Sequence, residues 1–256
     1  MIVVGRTDFQ RRGMSAQNCL AKRILQQSDA LAGLSPQSAQ SLINFAGGKP
    51  RNLKIIPNPI DESYFNRPSS PNNWISEFAR GRYVYAGWTN WRSIKRIDIA
   101  LRAFGEVTKQ ESNVCCILAG QVPVWAQDLI SQLGITDKVL LAGPLPQNEI
   151  KDLSHGSDCC IIPSDVETFG NSAIEALAGG CYVVTTRCGG PESIISDKAL
   201  GEIVECGDID GFARAMLMAL KMRDKLDTEL RREHCRQRYS VSAVAKLWKE
   251  LYDAKI

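Results

Sequence analysis

Cys159-Cys-Ile-Ile-Pro163-Ser-Asp-Val-Glu167-Thr-Phe-Gly170-Asn-Ser-Ala-Ile-Glu175-Ala-Leu-Ala178 decides how this chain is read. The apolar run 159–162 reads as a strand buried on both faces, and Pro163 cannot continue it. Gly170-Asn171 then opens a helix over residues 171–178, rich in the strong helix formers Ala and Leu. A buried strand that passes through a short loop into a helix places that loop at the carboxyl edge of a parallel sheet, where open α/β folds bind ligands. Unpaired N–H groups in the first helical turn offer an anion site there. Glu167 lies on the loop and Glu175 about one turn inside the helix, where it shares a face with Asn171, four residues earlier. Two carboxylates separated in this way can grip two hydroxyl-rich parts of one ligand. Taken singly, each reads as a solvated glutamate; the ordered string is what points to a site.

Working outward, the same strand–helix unit repeats from Gly81 onward. Strands are predicted at Tyr83–Ala86, Val114–Ala119, Val139–Leu141, Tyr182–Thr185 and Ile203–Glu205. Helices are predicted at Ile97–Val107, Trp125–Leu133, Gln147–Leu153 and Ile209–Met222. Unbroken apolar strands alternating with amphipathic helices make a doubly wound parallel α/β domain, assigned here to residues 66–238. The first 65 residues differ: a helix at 16–27, a strand at 29–34, a capped helix from Ser35-Pro36 to the Gly47-Gly48 stop, and a strand at 54–56. This αβαβ piece reads as too small for a sheet of its own. Residues 66–73, rich in Pro, Ser and Asn, read as a linker. A last helix, within residues 239–256, carries Val244, Leu247, Trp248 and Leu251 on one face and needs a surface outside the main domain.

At roughly 100–200 residues per domain, 256 residues hold one large domain and part of another. A composition of 44% hydrophobic and 23% charged residues excludes disorder and fibrous repeats. With 31 basic against 28 acidic residues there is no basic stripe of the kind nucleic acid requires. The densest basic stretch, Arg231-Arg232 to Arg238, is interrupted by Glu233 and reads as a solvated helix face. No apolar run approaches the ~18 residues of a membrane span, and Met1–Val4 is too short for the apolar core of a signal peptide. Nine cysteines show no C-x-x-C pair and no zinc-type spacing, so buried free thiols in a reducing cytoplasm are expected. Adjacent pairs such as Cys115-Cys116 should point to opposite faces of the sheet. No G-x-G-x-x-G follows a predicted strand, which argues against a dinucleotide-dependent oxidoreductase. Asp165 and Glu167 have no further carboxylates to complete a magnesium site.

The string from Pro163 to Ala176 resembles the P-S-x-x-E-x-F-G-x-x-x-x-E-A signature of group-1, family-4-like retaining glycosyltransferases, which have the two-Rossmann GT-B architecture. Lys95 to Ala103 looks like their K-G-x-D-x-x-x-x-A segment, and Leu118-Ala-Gly120 and Val139 to Gly143 look like their next two strand ends. Thr185 to Glu192 resembles their glycine-pair loop, and Ile55 to Asp61 the segment entering their second domain. The likeness covers about residues 29–252.

The resemblance implies transfer of a hexose from a UDP- or GDP-sugar, with retained configuration, to an acceptor glycan or lipid-linked saccharide. It implies neither metal nor cofactor, and a cytoplasmic enzyme peripheral to the inner face of the membrane. In such enzymes the residue matching Glu175 holds the ribose hydroxyls, and that matching Glu167 faces the transferred sugar. Backbone N–H groups near Phe169, Gly170 and Asn171 touch the sugar, and the lysine matching Lys95 meets the diphosphate. Backbone around Gly143–Leu145 edges the base. One departure stands out. The family usually carries arginine directly after the glycine matching Gly87, where this chain has Trp88. Arg92, within the same loop, either supplies the missing charge or is an exposed loop arginine; Trp88 and Trp91 read as cover over a core strand in preference to stacking partners for a base or sugar. Such enzymes also have a full N-terminal Rossmann domain with a catalytic histidine; only its last αβαβ portion is expected here, leaving the final helix without most of its docking surface. His155 and His234 match no catalytic position and read as surface histidines. The implied function is the donor half of a retaining glycosyltransferase, either a shortened piece of a longer protein or a split enzyme completed by a second chain. The alternative is a non-catalytic nucleotide-sugar-binding or interaction module; a GT-B epimerase is a third reading, which also needs residues from both domains.

Overall fold

Two parallel sheets organise the computed structural model, which describes residues 2–4, 16–48, 52–66, 73–223 and 227–254. The smaller holds β1 (Ile2–Val4), β2 (Ala30–Gly33) and β3 (Leu53–Ile55) in that spatial order, linked by α1 (Ala16–Gln27) and α2 (Pro36–Ala46). The larger is built from β4 (Tyr83–Trp88), β5 (Val114–Ala119), β6 (Val139–Gly143), β7 (Cys159–Ile162), β8 (Tyr182–Thr186) and β9 (Gly201–Val204). Its order is β6-β5-β4-β7-β8-β9, all parallel. The chain winds outward from β4 to one edge, returns, and winds outward from β7 to the other. The ends of β4 and β7 therefore diverge into a crevice, the switch point at which such sheets take ligands.

Helices cover both faces, as continuous apolar strands require. α4 (Ile97–Gln110), α5 (Trp125–Gln132) and α8 (Ile209–Lys221) bury Phe104, Ile130 and Phe212 against one face. α3 (Asn73–Ala79), α6 (Gln147–Gly156), α7 (Asn171–Gly179) and α9 (Thr228–Tyr239) bury Ile75, Leu153, Leu177 and Cys235 against the other. The adjacent cysteines divide between these layers as strand geometry demands, with Cys116 and Cys159 in the first and Cys115 and Cys160 in the second. All nine cysteines are free thiols, seven of them buried.

The structure corrects four expectations. The N-terminal piece does form its own sheet, because Ile2–Val4 pairs in register with Ala30–Ala32. The last helix, α10 (Val241–Asp253), finds its docking surface on that sheet: Val244 and Leu251 bury against Ala30, Ala32 and Ile56. The opposite face is closed by Leu25, Leu42 and Ala46 from α1 and α2, so three strands suffice to carry two apolar layers. Arg231 and Arg232 are not a solvated face. Arg231 Nε donates to Gly180 O at 2.8 Å and Arg232 Nη2 to Gly179 O at 2.8 Å, so the two buried guanidiniums cap the carbonyl end of α7. Finally, both histidines are half-buried: His155 Nε2 meets Tyr64 O at 2.9 Å, and burial lowers the pKa of His234. Of the expected linker, residues 67–72 lie outside the described residues.

Candidate functional site

The β7–α7 connection is pinned from three sides. Asp165 N donates to Ile94 O at 2.8 Å, and Glu167 N to Cys188 O at 2.8 Å; Gly190 N returns a bond to Glu167 O at 2.9 Å. Gly190 has to be glycine, since a Cβ there would lie 2.3 Å from the Phe169 backbone. From the small sheet, Ser35 Oγ donates to Thr168 O at 2.9 Å and Asn58 Nδ2 to Asn171 Oδ1 at 2.9 Å. Phe169 is buried edge-to-face on Tyr239, with ring centroids 5.9 Å apart, so it anchors the loop. Gly170 caps the start of α7.

This frame brings Glu167 and Lys95 together. Lys95 ends a 3-10 turn (Ser93–Lys95) in the loop after β4, and its Nζ lies 2.5 Å from Glu167 Oε1. Ser164 Oγ donates to the same oxygen at 3.0 Å. The next residue, Arg96, is held in a left-handed conformation, φ +50°, where its guanidinium meets Asp98 at 2.9 Å and Asp165 at 3.1 Å. Asp165 is thus engaged by a cation. Among the described residues, no three His, Cys, Asp or Glu side chains gather to hold a metal.

Beyond the ends of β4, β5 and β6 lies a cleft of ≈540 Å³. Asn171, Ser172 and Glu175 of α7 form one wall; Pro144, Leu145, Gln147 and Ile150 form another; Thr89, Gly120 and Gln121 form the floor. Gly120, φ +116°, lets the loop after β4 cross the end of β5, because a Cβ would sit 1.8 Å from Thr89 O. Glu175 is held by Trp88, whose Nε1 donates to Glu175 Oε2 at 2.7 Å. Burial pushes the Glu175 carboxyl above its ordinary pKa, and the indole bond pulls it partly back. Tyr64 also lines the cleft beside Gln147, with its ring buried. Burial, assisted by the nearby Glu175, raises its pKa.

Of the residues named from the sequence, Glu175, Asn171 and Leu145 line the cleft, while Lys95 and Glu167 pair with each other beside the loop. Phe169, Gly170 and Gly87 shape the backbone instead. Gly87 lies under the Trp91 ring, where an added Cβ would come within 3.1 Å. Arg92 is exposed and lines a different cleft of ≈900 Å³, with Trp91, Asp98, Pro123, Trp125 and Asp165. Sequence reading gave no role to Tyr64, Gln121 and Gln147, nor to Ser164, although Ser164 belongs to the quoted string, and it favoured cover for Trp88. The connection of Tyr64, Gln121, Gln147 and Trp88 with the site comes from loops meeting in space and leaves no spacing signal.

Residues 81–237 match the family described as glycosyl transferases, group 1. The chain belongs to this family. It is 26% identical over 208 residues to the D-inositol 3-phosphate glycosyltransferase of Streptosporangium roseum, covering 76% of this chain and 48% of that protein. It is 29% identical over 221 residues to the N-acetyl-alpha-D-glucosaminyl L-malate synthase of Bacillus anthracis, covering 84% and 55%. The chain thus spans about half the length of these curated relatives. The crystal structure of Anabaena Alr3699/HepE in complex with UDP superposes with a TM-score of 0.84 over 99% of this chain and 72% of that one, at 18% identity. The doubly wound sheet thus has the Rossmann-like fold found in GT-B glycosyltransferases. Among the described residues, no helix is long and apolar enough to cross a membrane.

Proposed function

We propose that this chain is the donor-binding half of a retaining glycosyltransferase that moves a hexose from a UDP- or GDP-sugar to an acceptor glycan or lipid-linked saccharide. The observation that carries the reading is the Glu175 carboxylate, set with Asn171 and Ser172 on the first turns of α7, walling a cleft at the switch point of the sheet. A carboxylate accepts from vicinal hydroxyls, and a helix N-terminus favours phosphate. The UDP held by the Anabaena neighbour is a ligand of that chemistry.

In this mechanism Glu175 takes the ribose hydroxyls, Leu145 edges the base, and the N-terminus of α7 meets the diphosphate. Lys95 then leaves Glu167 for the phosphate oxygens and stabilises the nucleoside diphosphate as it departs. Glu167, released, accepts from a hydroxyl of the sugar. The anomeric carbon–phosphate oxygen bond breaks while the acceptor oxygen bonds to the same face of that carbon. The acceptor proton passes to the departing phosphate oxygen, so no enzyme carboxylate is consumed. The residues need no metal and no cofactor for these roles. The acceptor side is supplied by further polypeptide or a second chain, and we place the reaction in the cytoplasm at the inner face of the membrane.

Isothermal titration with UDP, GDP and ADP tests the binding step. One of UDP or GDP should bind, and no binding by any of the three would overturn the reading. Nucleotide-sugar turnover with the acceptor half supplied tests the chemistry. Binding without turnover would instead establish the non-catalytic module.

A further inference from the structure

On the donor reading above, on which this inference rests, the placement of Glu175 is set by β4. β4 meets α7 at two contacts made by a single residue. Ser172 Oγ donates to Trp88 O at 2.9 Å, and Trp88 Nε1 donates to Glu175 Oε2 at 2.7 Å. The indole is 5% exposed and packs in the core layer that also holds Ile162, Phe169 and Ala173, so it has no room to turn. Indole N–H only donates, whereas a carboxylate offers about four acceptor sites on two oxygens. The bond therefore occupies one side of the Glu175 carboxylate and leaves Oε1 for a ligand in the cleft.

Among the described residues, no compensating charge lies beside Glu175. The titratable groups that feel its charge are the Tyr64 hydroxyl, from the turn before α3, and the Cys160 thiol of β7. Both are neutral near pH 7, and burial pushes both upward in pKa. A carboxylate buried without a cation costs stability, and an apolar side chain would pack here at no such cost. The single directional donor on Glu175 thus makes sense as orientation for a ligand, beyond anything packing requires. Trp88 carries no charge, so it adds nothing to the attraction of phosphate; besides touching the carboxylate, it lines the cleft itself.

We propose that Trp88 is a positioning residue that fixes the Glu175 carboxylate for a vicinal diol and thereby gives the cleft its preference for ribonucleotides over deoxyribonucleotides. Hydrogen bonds to charged groups are the stronger ones, so the 2′-hydroxyl should matter by roughly tenfold or more in affinity.

The test compares UDP or GDP, whichever binds, with its 2′-deoxy counterpart by isothermal titration on the intact chain. The wild type should favour the ribonucleotide roughly tenfold. Trp88→Phe keeps a large ring and removes the N–H. Affinity for the ribonucleotide should fall until the preference is under about threefold, with the deoxy form nearly unaffected. The acid limb of ribonucleotide binding should also move to higher pH, because Glu175 loses the bond that pulls its pKa down. A purely structural role would weaken both nucleotides equally and leave the pH limb in place. Should Trp88→Phe fail to fold, replacement of Trp88 with benzothienylalanine keeps the indole shape and removes only the N–H. A variant with the full ribose preference, or a wild type that binds both nucleotides alike, overturns the inference. Failure of the wild type to bind any nucleotide overturns the donor reading itself, so the two failures are distinguishable.

Discussion

Glu167 and Glu175 sit on one strand–loop–helix segment, and the protein holds them by opposite means. Glu167 is held by charge, with Lys95 at 2.5 Å and Ser164 at 3.0 Å on the same oxygen. Glu175 is held by direction, from an uncharged indole N–H at 2.7 Å. The holders differ in stiffness too. Lysine is a point charge on a flexible four-carbon stem, free to exchange partners. Tryptophan has only two rotatable side-chain bonds, and Trp88 is packed into the core. On the function proposed above, the nucleoside end of the site would be preformed and the sugar end would rearrange when a competing anion arrives. The diphosphate would be such an anion, drawing Lys95 away and freeing Glu167 for the sugar.

Removing Lys95 breaks the comparison at its mobile end and should have the largest effect. Lys95→Ala leaves Glu167 without its cation and the departing diphosphate without its neutralising charge. Nucleotide-sugar turnover by the protein with its acceptor half present should fall by about 10²–10³-fold. Nucleotide binding should fall much less, because Trp88 and Glu175 are untouched. A loss of turnover below tenfold would reduce the Lys95–Glu167 pair to a structural contact.

Glu175→Gln tests the preformed end and should separate binding from stability. Nucleotide affinity should drop by roughly tenfold, the worth of one hydrogen bond to a charged group. Stability should move the other way. Burial raises the pKa of Glu175 in the folded state above its unfolded value, so the folded chain binds this proton more tightly. Stability from this group is fully present below the unfolded pKa and is lost as pH rises through the folded one. Near pH 7 the glutamine variant should therefore melt about 2–4 °C higher for each kcal/mol recovered, and the gain should vanish in acid. Equal melting at both pH values would show that Glu175 is solvated, not buried.

How far the sequence discloses these features depends on whether they are local. Continuous apolar strands and Gly170-Asn171 are local patterns, so the main sheet, its six units and the α7 edge of the site were readable without coordinates. Glu175 was singled out by its helix position and Leu145 through the family resemblance; both line the cleft. The three-residue strand Ile2–Val4 was not, because too short a run shows no period; it is a strand only because Ala30–Ala32 lies beside it. Arg231 and Arg232 misled because charge reads as solvent, whereas these two reach the open carbonyls of a helix far away in sequence. Trp88 misled in a subtler way. Expecting it to cover the core was right, since it is buried, but its indole N–H also had to find a partner. No spacing rule connects position 88 with position 175.

Arg92→Ala should have the smallest effect and sharpens the comparison by exclusion. The resemblance to two-cation diphosphate sites made Arg92 a candidate second charge, with an exposed loop arginine as the other reading, and the loop after β4 turns it into the ≈900 Å³ cleft while delivering Lys95 to Glu167. Ser93–Lys95 is a single 3-10 turn, with Lys95 N bonded to Arg92 O at 2.8 Å, so the two cations diverge instead of converging. An exposed guanidinium acting on a phosphate from outside the cleft is screened by water and salt. Titration of Arg92→Ala with the nucleoside diphosphate should therefore give an affinity within about twofold of wild type. The difference between the Arg92 and Lys95 variants should persist in 0.5 M salt, where the Debye length is only a few ångströms. A tenfold loss at low salt that disappeared at high salt would mean Arg92 steers the donor toward the site. A tenfold loss at both would bring Arg92 across the loop to the phosphates and make the mobile end of the site a two-cation clamp.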